Sequence, residues 1–318
     1  MPLISKSTYR PPTWLQGGHL QTIHPALFRK VLRVTSREER LELDDGDFLD
    51  LQWAGSRGER LAILSHGLEG SAGSKYVQGM AGALLKRGWD VLAWSFRGCG
   101  DEPNRLVSFY HSGKTEDLEQ IVRHALQVHP AKRIDLLGFS LGGNLTLKYL
   151  GERGESLAPQ IAKAVAFSVP CELACSSEQL GKWQSRIYME RFLKTLRSKV
   201  RQKQADYPND LDINGLDQIK TFAEFDDRYT APLHGFTGAL DYWNQSSCRQ
   251  FINGIQIPSL LVSAANDPII GPRCYPREEA ENSDCFYLEI PDKGGHVGFG
   301  GGKEYWSEKR AAEFLSEP

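Results

Sequence analysis

The chain has 318 residues, of which 40% are hydrophobic and 10% aromatic, a composition sufficient for a sizeable folded core. Its formal net charge of −2 and its pI near 6.5 exclude the general attraction to nucleic acid that a strongly basic protein has. The sequence also contains no zinc-finger spacing and no P-loop. We therefore expect no nucleic-acid partner.

The cysteines and the N-terminal sequence indicate the compartment. Six cysteines are scattered along the chain instead of forming a short disulfide framework, so we expect free thiols. Cys171 and Cys175 share a helical spacing, but no Cys/His pair at a zinc spacing accompanies them, and we expect no metal or other cofactor. The sequence shows neither a signal peptide nor an apolar stretch of membrane-spanning length. These features predict a cytoplasmic protein.

Residues 1–58 are predicted to form an N-terminal arm and a β-hairpin packed on the core. Asp45 and Gly46 form a typical hairpin turn signal between the segments 40–43 and 48–53. For residues 11–23 we expect an apolar arm packed on the sheet, with His19 hydrogen-bonded to backbone. The alternative is that His19 reaches the functional pocket.

From residue 59 onward, short apolar runs alternate with segments of helical periodicity. This alternation is typical of a parallel sheet with helices on both faces. The predicted strands cover residues 61–65, 91–94, 134–137, 164–169, 258–263 and 286–290, and the predicted helices include 76–86, 115–129, 144–150 and about 303–315. Residues 171–254 contain no comparable strand and are rich in helix formers. We predict an α/β core of residues 59–170 and 255–318, with a helical cap inserted at 171–254.

The segment 138–143 follows an apolar run and precedes a helical segment, with Ser140 at its centre. A serine at the apex of a sharp strand-to-helix turn needs small residues two positions away on each side, and Gly138 and Gly142 meet that need. The turn places the Ser140 hydroxyl over the helix N-terminus, which favours negative charge. We predict that Ser140 is a nucleophile. The alternative is a glycine-rich turn whose serine only caps the helix.

A serine nucleophile requires a base and a group that orients the base. In a parallel sheet such groups follow the carboxyl ends of strands. Asp267 follows the fifth predicted strand, and His296 lies in a glycine-rich loop after the sixth. We predict that His296 is the base and Asp267 its orienting partner, with Asp241, Asp284 and Asp292 as rivals for the acidic role. The alternatives are a turn-capping Asp267 and a surface histidine at position 296.

A tetrahedral intermediate also needs two preorganised hydrogen-bond donors for its oxyanion. The backbone N–H of Leu141, directly after the serine, is one candidate. The other is the N–H of Leu68, in the loop after the first predicted strand, where Gly67 allows the backbone to bend and His66 braces the loop. The alternative is a phosphate-binding loop, but no Lys-Ser/Thr pair follows it as in a P-loop.

These motifs, together with an Arg-Gly-x-Gly turn at residues 97–100 and the chain order serine, aspartate, histidine, resemble the α/β-hydrolase superfamily from about residue 59 to the C-terminus. Residues 11–23 and 65–70 resemble the YheT-like branch, so the resemblance covers nearly the whole chain. It implies an eight-stranded, mostly parallel sheet and a serine hydrolase that cleaves esters or thioesters, with catalytic roles for Ser140, Asp267 and His296. The His-x-x-x-x-Asp acyltransferase motif of some eukaryotic relatives is not found in this sequence.

Basic side chains flank an apolar line at helical spacing within the predicted cap. The apolar line is Met189, Leu193, Leu196 and Val200, and the basic residues are Lys182, Arg186, Arg191, Lys194, Arg197, Lys199, Arg201 and Lys203. One interpretation is a lid over an acyl pocket that makes weak contact with an anionic lipid surface. The other is a cap helix packed on the sheet. Candidate pocket-lining aromatic residues are Trp183, Tyr188, Phe192 and Trp243.

The sequence thus predicts a carboxylesterase-type hydrolase that cleaves a small-molecule acyl ester through an acyl-enzyme, without metal or organic cofactor. Two alternatives stay open at this point. The same acyl-enzyme could be transferred to an alcohol, or the fold could serve a ligand-binding protein without turnover. The sequence identifies neither the residues that bind the acyl chain nor the oligomeric state.

Overall fold

The computed structural model describes residues 2–317, and nine of its strands form one sheet. The strands are β1 (Leu3–Ile4), β2 (Arg37–Glu42), β3 (Phe48–Ala54), β4 (Arg60–Ser65), β5 (Asp90–Ser95), β6 (Arg133–Phe139), β7 (Ile161–Phe167), β8 (Ser259–Val262) and β9 (Phe286–Glu289). Their order is β1-β9-β8-β7-β6-β4-β5-β3-β2. Strand β3 pairs antiparallel with both β2 and β5, and all other pairs are parallel.

The sheet has one strand more than the eight expected. The additional strand is β1, in which Leu3 pairs with Leu288 and Ile4 with Glu289 of β9. Two residues are too few to show the alternation of apolar and polar positions by which a strand is recognised in a sequence. The predicted α/β architecture, with a mostly parallel sheet and helices on both faces, is confirmed.

Eleven α-helices accompany the sheet within residues 2–317. They are α1 (Gly18–Phe28), α2 (Lys75–Leu85), α3 (Thr115–Val128), α4 (Leu141–Arg153), α5 (Leu173–Gly181), α6 (Arg186–Asp206), α7 (Phe222–Phe225), α8 (Ala231–Leu233), α9 (Ala239–Ser246), α10 (Arg277–Glu281) and α11 (Trp306–Ser316). Helices α3 and α4 contribute to the core on one face of the sheet, and α2 and α11 contribute to the core on the other. The sheet is therefore buried on both sides.

Helix α3 shows why these segments become helices. Its residues Leu118, Ile121, Val122 and Ala125 follow the spacing i, i+3, i+4 and i+7, and all four are buried. Such a stripe faces the core, and each large side chain that it buries contributes about 1.5–3 kcal/mol relative to exposure. The acidic residues of its first turn, Glu116 and Asp117, stabilise the helix because their negative charges lie at the positive end of the helix dipole.

Helices α5 to α9 lie between β7 and β8 in the chain and cover the carboxyl end of the sheet beside Ser140. The apolar line of α6 that the sequence indicated is buried: Met189, Leu193, Leu196 and Val200. Between α7 and α8 the chain passes through a π-helical turn, Asp226–Thr230. In such a turn the backbone hydrogen bonds join residues five positions apart, one more than in an α-helix.

Several basic residues of α6 face the protein and not the solvent. The Arg197 guanidinium donates to the carbonyl of Ile219, and Lys203 donates to two backbone carbonyls of the loop before α3. Both side chains are buried. These contacts favour the interpretation of α6 as a helix packed on the rest of the protein. The basic residues that remain exposed near its start are Lys182, Arg186, Arg191 and Lys194.

Three further properties of the described chain concern its helices, its cysteines and its potential metal ligands. Within residues 2–317 no helix has the length and apolar character needed to cross a membrane. The six cysteines, all within this range, are free thiols. No cluster of three or more His, Cys, Asp or Glu side chains in the described range is arranged to hold a metal ion.

Candidate active site

Ser140 lies at the apex of the turn between β6 and α4, with φ 52° and ψ −118°. This backbone conformation is unfavourable for a residue with a side chain and costs about 1–3 kcal/mol, so surrounding contacts must hold it. The Ser140 N–H donates to the carbonyl oxygen of Phe167, 2.8 Å away. A Cβ atom on Gly138 would lie 2.3 Å from the carbonyl oxygen of Gly142, and one on Gly142 would lie 2.3 Å from that of His66. Only glycine fits at these two positions.

The structure brings Ser140, His296 and Asp267 together in one line of hydrogen bonds. His296 Nε2 lies 2.9 Å from Ser140 Oγ, and His296 Nδ1 lies 2.9 Å from Asp267 Oδ2. The other oxygen of the buried Asp267 accepts hydrogen bonds from the N–H groups of Ile269 and Ile270, at 2.8 and 3.3 Å. The carboxylate is thereby fixed, and the imidazole has one nitrogen free to accept a proton from the serine hydroxyl.

Within residues 2–317 none of the three rival aspartates is hydrogen-bonded to His296. Asp241 accepts hydrogen bonds from the Thr237 N–H and the Gln245 amide at the start of α9. Asp284 and Asp292 are exposed in loops. Of the four aspartates that the sequence left in competition, the structure places Asp267 beside the imidazole.

Four consecutive backbone N–H groups in the loop around His296 are each held by a side chain from another part of the fold. The N–H groups donate to side-chain oxygens as follows: Gly294 to Gln21 Oε1 (2.9 Å), Gly295 to Asn266 Oδ1 (3.0 Å), His296 to Thr22 Oγ1 (2.9 Å) and Val297 to Ser168 Oγ (2.9 Å). The loop has no regular secondary structure, so these side chains replace the missing backbone partners. They fix the position from which the imidazole reaches Ser140.

Gln21 connects the N-terminal arm to this loop and was missed as a functional residue in the sequence. Its side chain is fully buried, and its amide nitrogen donates to the carbonyl oxygen of Leu15, 2.9 Å away. Its oxygen accepts both from Gly294 N–H and from the amide of Asn266. The only signal in the sequence was the resemblance of residues 11–23 to one family branch, which carried no mechanism.

His19, on the same arm, corrects an expectation. Its Nδ1 is hydrogen-bonded to the hydroxyl of Tyr188 on α6 at 3.0 Å, and the two rings stack with centroids 5.7 Å apart. A side chain takes the place of the expected backbone partner, because residues 18–28 form a helix whose own hydrogen bonds occupy the nearby backbone groups. His19 is exposed and lies outside the lining of the cavity at Ser140.

We expect Gln21→Ala to lower the free energy of unfolding by about 3 kcal/mol, because a buried polar group left without a partner costs about 1–3 kcal/mol and the change leaves two buried groups and one half-buried group in that state. These are Gly294 N–H, the Leu15 carbonyl and the Asn266 amide. Urea denaturation measures the loss. Gln16→Ala, an exposed glutamine of the same arm, is the matched control. Equal stability of the two variants would contradict the bracing role.

The N–H groups of Leu68 and Leu141 have no hydrogen-bond acceptor within residues 2–317, and both residues line the cavity that contains Ser140. On each side of Leu68 the neighbouring amide is engaged. Gly67 N–H donates to the hydroxyl of Tyr76 at 2.9 Å, and Glu69 N–H donates to the hydroxyl of Tyr110 at 3.0 Å. The loop is thus held by its flanking amides while the N–H between them stays free for a ligand.

His66 holds the start of this loop. Its Nδ1 donates to the carbonyl oxygen of Gly67 at 2.7 Å, and its Nε2 accepts from Phe96 N–H at 3.0 Å. Burial lowers the pKa of His66 to about 3, so the imidazole stays neutral and keeps this pair of bonds at all pH values above that. The bracing role expected from the sequence agrees with this geometry.

Helix α6 reaches the same loop through a partly buried lysine. Lys199 Nζ lies 2.7 Å from Glu69 Oε1 and 3.0 Å from the sulfur of Cys99. The Tyr110 hydroxyl donates to the same carboxylate oxygen at 2.7 Å. Glu69 has a left-handed backbone, with φ 55°, directly after Leu68. Helix α6 therefore contacts Glu69, the residue that directly follows Leu68 and its free N–H group.

The Arg-Gly-x-Gly turn has a structural role. The Arg97 guanidinium forms two bonds with Asp117, at 2.9 and 2.7 Å, and further ion pairs with Asp45 (2.7 Å) and Asp47 (3.1 Å). Arg97, Asp47 and Asp117 are buried. This network fastens the β2–β3 hairpin to α3 at the edge of the sheet, and Arg97 is not among the residues that line the cavity.

The cavity over Ser140 has an empty volume of about 790 Å³, including its open mouth. Most of its lining is apolar or aromatic, with contributions from Phe109, Leu180, Phe192, Leu196, Phe225, Trp243 and Ile269. Of the four aromatic residues that the sequence suggested, Phe192 and Trp243 are in the lining. Trp183 is instead 81% exposed, and Tyr188 is engaged with His19. Helical spacing alone did not show which side of α6 faces the cavity.

A comparison with known proteins assigns the chain to a family. The family model for the alpha/beta hydrolase fold matches residues 63–302. The chain is 36% identical to the YheT protein of Escherichia coli (strain K12) over 322 residues, which cover 98% of this chain and 94% of that protein. It is 27% identical to the human phospholipase ABHD3, with 94% of this chain and 75% of that protein covered.

Among solved structures, the esterase Pf2001 of Pyrococcus furiosus is similar with a TM-score of 0.60 and 20% sequence identity. The likeness covers 89% of this chain and 90% of that one, and it shows the fold. The nine-stranded, mostly parallel sheet with helices on both faces is therefore the α/β-hydrolase fold that the resemblance implied. The chain belongs to the α/β-hydrolase family, in the branch that contains YheT.

Proposed function

We propose that the protein hydrolyses small-molecule carboxylic esters through an acyl-enzyme formed on Ser140. The observation that carries the proposal is the pair of 2.9 Å hydrogen bonds that link Ser140 Oγ to His296 and His296 to Asp267. A serine hydroxyl becomes nucleophilic when a positioned base takes its proton, and that base needs a partner that holds it in the correct tautomer.

In the first step Ser140 Oγ attacks the ester carbonyl carbon, and its proton passes to His296 Nε2. The tetrahedral intermediate then collapses, the bond to the alcohol oxygen breaks, and His296 returns the proton to the departing alcohol. Asp267 remains ionised throughout and stabilises the imidazolium through His296 Nδ1–H. The acyl group is left as an ester of Ser140.

The developing oxyanion accepts hydrogen bonds from the backbone N–H groups of Leu68 and Leu141. Both residues border the cavity with Ser140, and neither N–H has an acceptor within residues 2–317. Preorganised donors of this kind contribute about 3–4 kcal/mol each to lowering the barrier. Both are backbone groups, so the role belongs to the loop geometry and not to the two leucine side chains.

Hydrolysis of the acyl-enzyme repeats these events with water. His296 Nε2 takes a proton from the water molecule, whose oxygen attacks the acyl carbon, and the proton then passes to Ser140 Oγ as the acid is released. His296 Nε2 therefore acts as the base in both steps.

The acyl group is proposed to occupy the cavity. Its apolar lining favours hydrocarbon chains, because burial of apolar surface supplies the binding energy. The names of related proteins support an ester bond as the target: the human protein is a phospholipase and the archaeal one an esterase.

The test combines active-site labelling with product analysis. We expect a fluorophosphonate probe to label Ser140 and the protein to hydrolyse p-nitrophenyl esters of apolar acids, with kcat/KM varying over a series of acyl lengths. Labelling with formation of a new ester when an alcohol is added would favour acyl transfer over hydrolysis. A folded protein that is neither labelled nor active on the series would contradict the proposal and favour a binding role.

A further inference from the structure

The cavity that contains Ser140 also contains a buried carboxyl group, that of Asp226. Among the described residues that line the cavity it is the only acidic one, and no lysine or arginine is in that lining. Asp226 is 9% exposed and lies in the π-helical turn between α7 and α8. A carboxylate enclosed by apolar walls is costly unless hydrogen bonds or an opposite charge compensate it.

In the described part of the chain, the hydrogen bonds to the Asp226 carboxylate come only from neutral donors. The Thr230 hydroxyl donates to Oδ1 at 2.6 Å, and the Trp243 indole N–H donates to Oδ2 at 2.8 Å. Within residues 2–317 Asp226 forms no ion pair with a lysine, arginine or histidine. A carboxylate oxygen accepts more than one hydrogen bond, so each oxygen retains capacity for a donor from a ligand.

Among the residues that the structure describes, the titratable groups around Asp226 supply no positive charge at neutral pH. Burial, together with the neighbouring Asp227 carboxylate, raises the pKa of Asp226 to about 7, although the hydrogen bonds from Thr230 and Trp243 act in the opposite direction. On α9, burial and Asp226 itself keep Tyr242 neutral by raising its pKa. Burial lowers the pKa of His111 well below its ordinary value and that of His234 to about 4. Above pH 7 the carboxylate is therefore ionised, and no described residue of the protein provides a cationic partner for it.

Aromatic rings share the cavity wall with this carboxylate. Phe222 and Phe225 precede it on α7, and Tyr242 and Trp243 face the same cavity from α9. Aromatic faces together with a carboxylate attract organic cations, because ring quadrupoles and the negative charge act in the same direction. The π-helical turn is a further indication, since such turns occur frequently at functional sites.

We propose that Asp226 and the adjoining aromatic rings form a subsite for an ammonium group carried by the part of the substrate that enters the cavity. The inference rests on the proposed function, because it concerns the specificity of the same site. The ammonium ion would provide the charge that the carboxylate lacks in the protein alone. A purely structural role of Asp226, joining α9 to the π-helical turn through Trp243, would give no dependence on substrate charge.

The test compares two p-nitrophenyl esters of equal shape. In one, the acyl chain ends in a trimethylammonium group, and in the other it ends in the neutral tert-butyl group. Chains of several lengths are used at pH 6 and pH 8. At the length that reaches Asp226, we expect kcat/KM at pH 8 to be at least tenfold higher for the cationic ester.

This ratio is expected to fall about tenfold at pH 6, because the ionised fraction of a group with a pKa of about 7 falls about tenfold over this interval. Any effect of pH on the catalytic step that the two esters share cancels in the ratio. Asp226→Asn is expected to abolish the preference for the cation. The matched control is Asp227→Asn, which removes the same charge from the adjacent exposed position and is expected to preserve the preference.

Thr230→Val provides a second variant that retains the carboxylate. It removes a hydrogen bond that lowers the pKa of Asp226, so the preference should appear at higher pH than in the unmodified protein. The inference is overturned if the neutral ester is hydrolysed and no chain length gives a cationic preference at pH 8. It is also overturned if the preference persists in Asp226→Asn. Failure of both esters, with Ser140 unlabelled by a fluorophosphonate, would instead contradict the proposed function.

Discussion

Replacement of Ser140 by alanine is expected to reduce kcat for ester hydrolysis about 10⁶-fold, the magnitude found when the nucleophile of a cooperating serine triad is removed. The change removes the oxygen that forms the acyl-enzyme, so the base and the oxyanion donors have no covalent intermediate to act on. Burst kinetics with p-nitrophenyl esters, followed by mass spectrometry of the acylated protein, measure the loss of both turnover and adduct.

The matched control is Ser198→Ala, which removes the hydroxyl of an exposed serine on α6. It should retain full turnover and full acylation. Alanine at position 140 adopts the same unfavourable backbone conformation as serine, so we expect the fold to be unchanged. Urea denaturation of both variants checks this and separates a loss of catalysis from a loss of folding. A Ser140→Ala protein that is folded and hydrolyses the esters at the original rate would refute the assignment of the nucleophile.

Asp267→Asn is expected to lower kcat about 10⁴-fold with little change in KM, by analogy with the measured effect of this change in a serine protease triad. The asparagine amide would donate to His296 Nδ1 and thereby place the imidazole proton on Nε2. That tautomer cannot accept the proton of Ser140. The substitution preserves the shape of the side chain, and the oxygen that binds Ile269 and Ile270 N–H has an equivalent in the amide.

The rival aspartates provide the controls. Asp284→Asn and Asp292→Asn remove the same charge from exposed loop positions and should leave kcat within twofold of the unmodified protein. If either of these variants lost activity while Asp267→Asn kept it, the orienting role would belong elsewhere. NMR of the His296 ring nitrogens offers an independent readout, since the change should move the proton from Nδ1 to Nε2.

The positions of Ser140, Asp267 and His296 were predictable because each is encoded locally. Each residue follows an apolar run that forms a buried strand, and the parallel sheet then brings the strand ends together. The same is true of the loop at Leu68, which follows β4. In such cases the short-range pattern of the sequence determines the place of the residue in three dimensions.

The side chains that hold the His296 loop could not be predicted in this way. Gln21 lies 273 residues from Gly294, and Ser168 lies 129 residues from Val297, so no periodicity connects either pair. Asp226 was not predicted as a residue of the cavity for a different reason. It lies in a charged helical segment where a carboxylate normally faces solvent, and the π-helical turn that directs it to the cavity has no simple sequence signature.

The hydrogen bonds of Gln21 also bear on the order in which the protein is assembled. They join Gln21 to partners that the ribosome adds to the chain 245 and 273 residues later. Contacts between such distant segments carry a large loop-closure entropy, and synthesis delivers the later partner last. The His296 loop is therefore expected to settle at the end of folding. A nascent chain that stops before this loop would display Ser140 in its strained turn with no imidazole beside it, so reactivity would begin only once folding is complete.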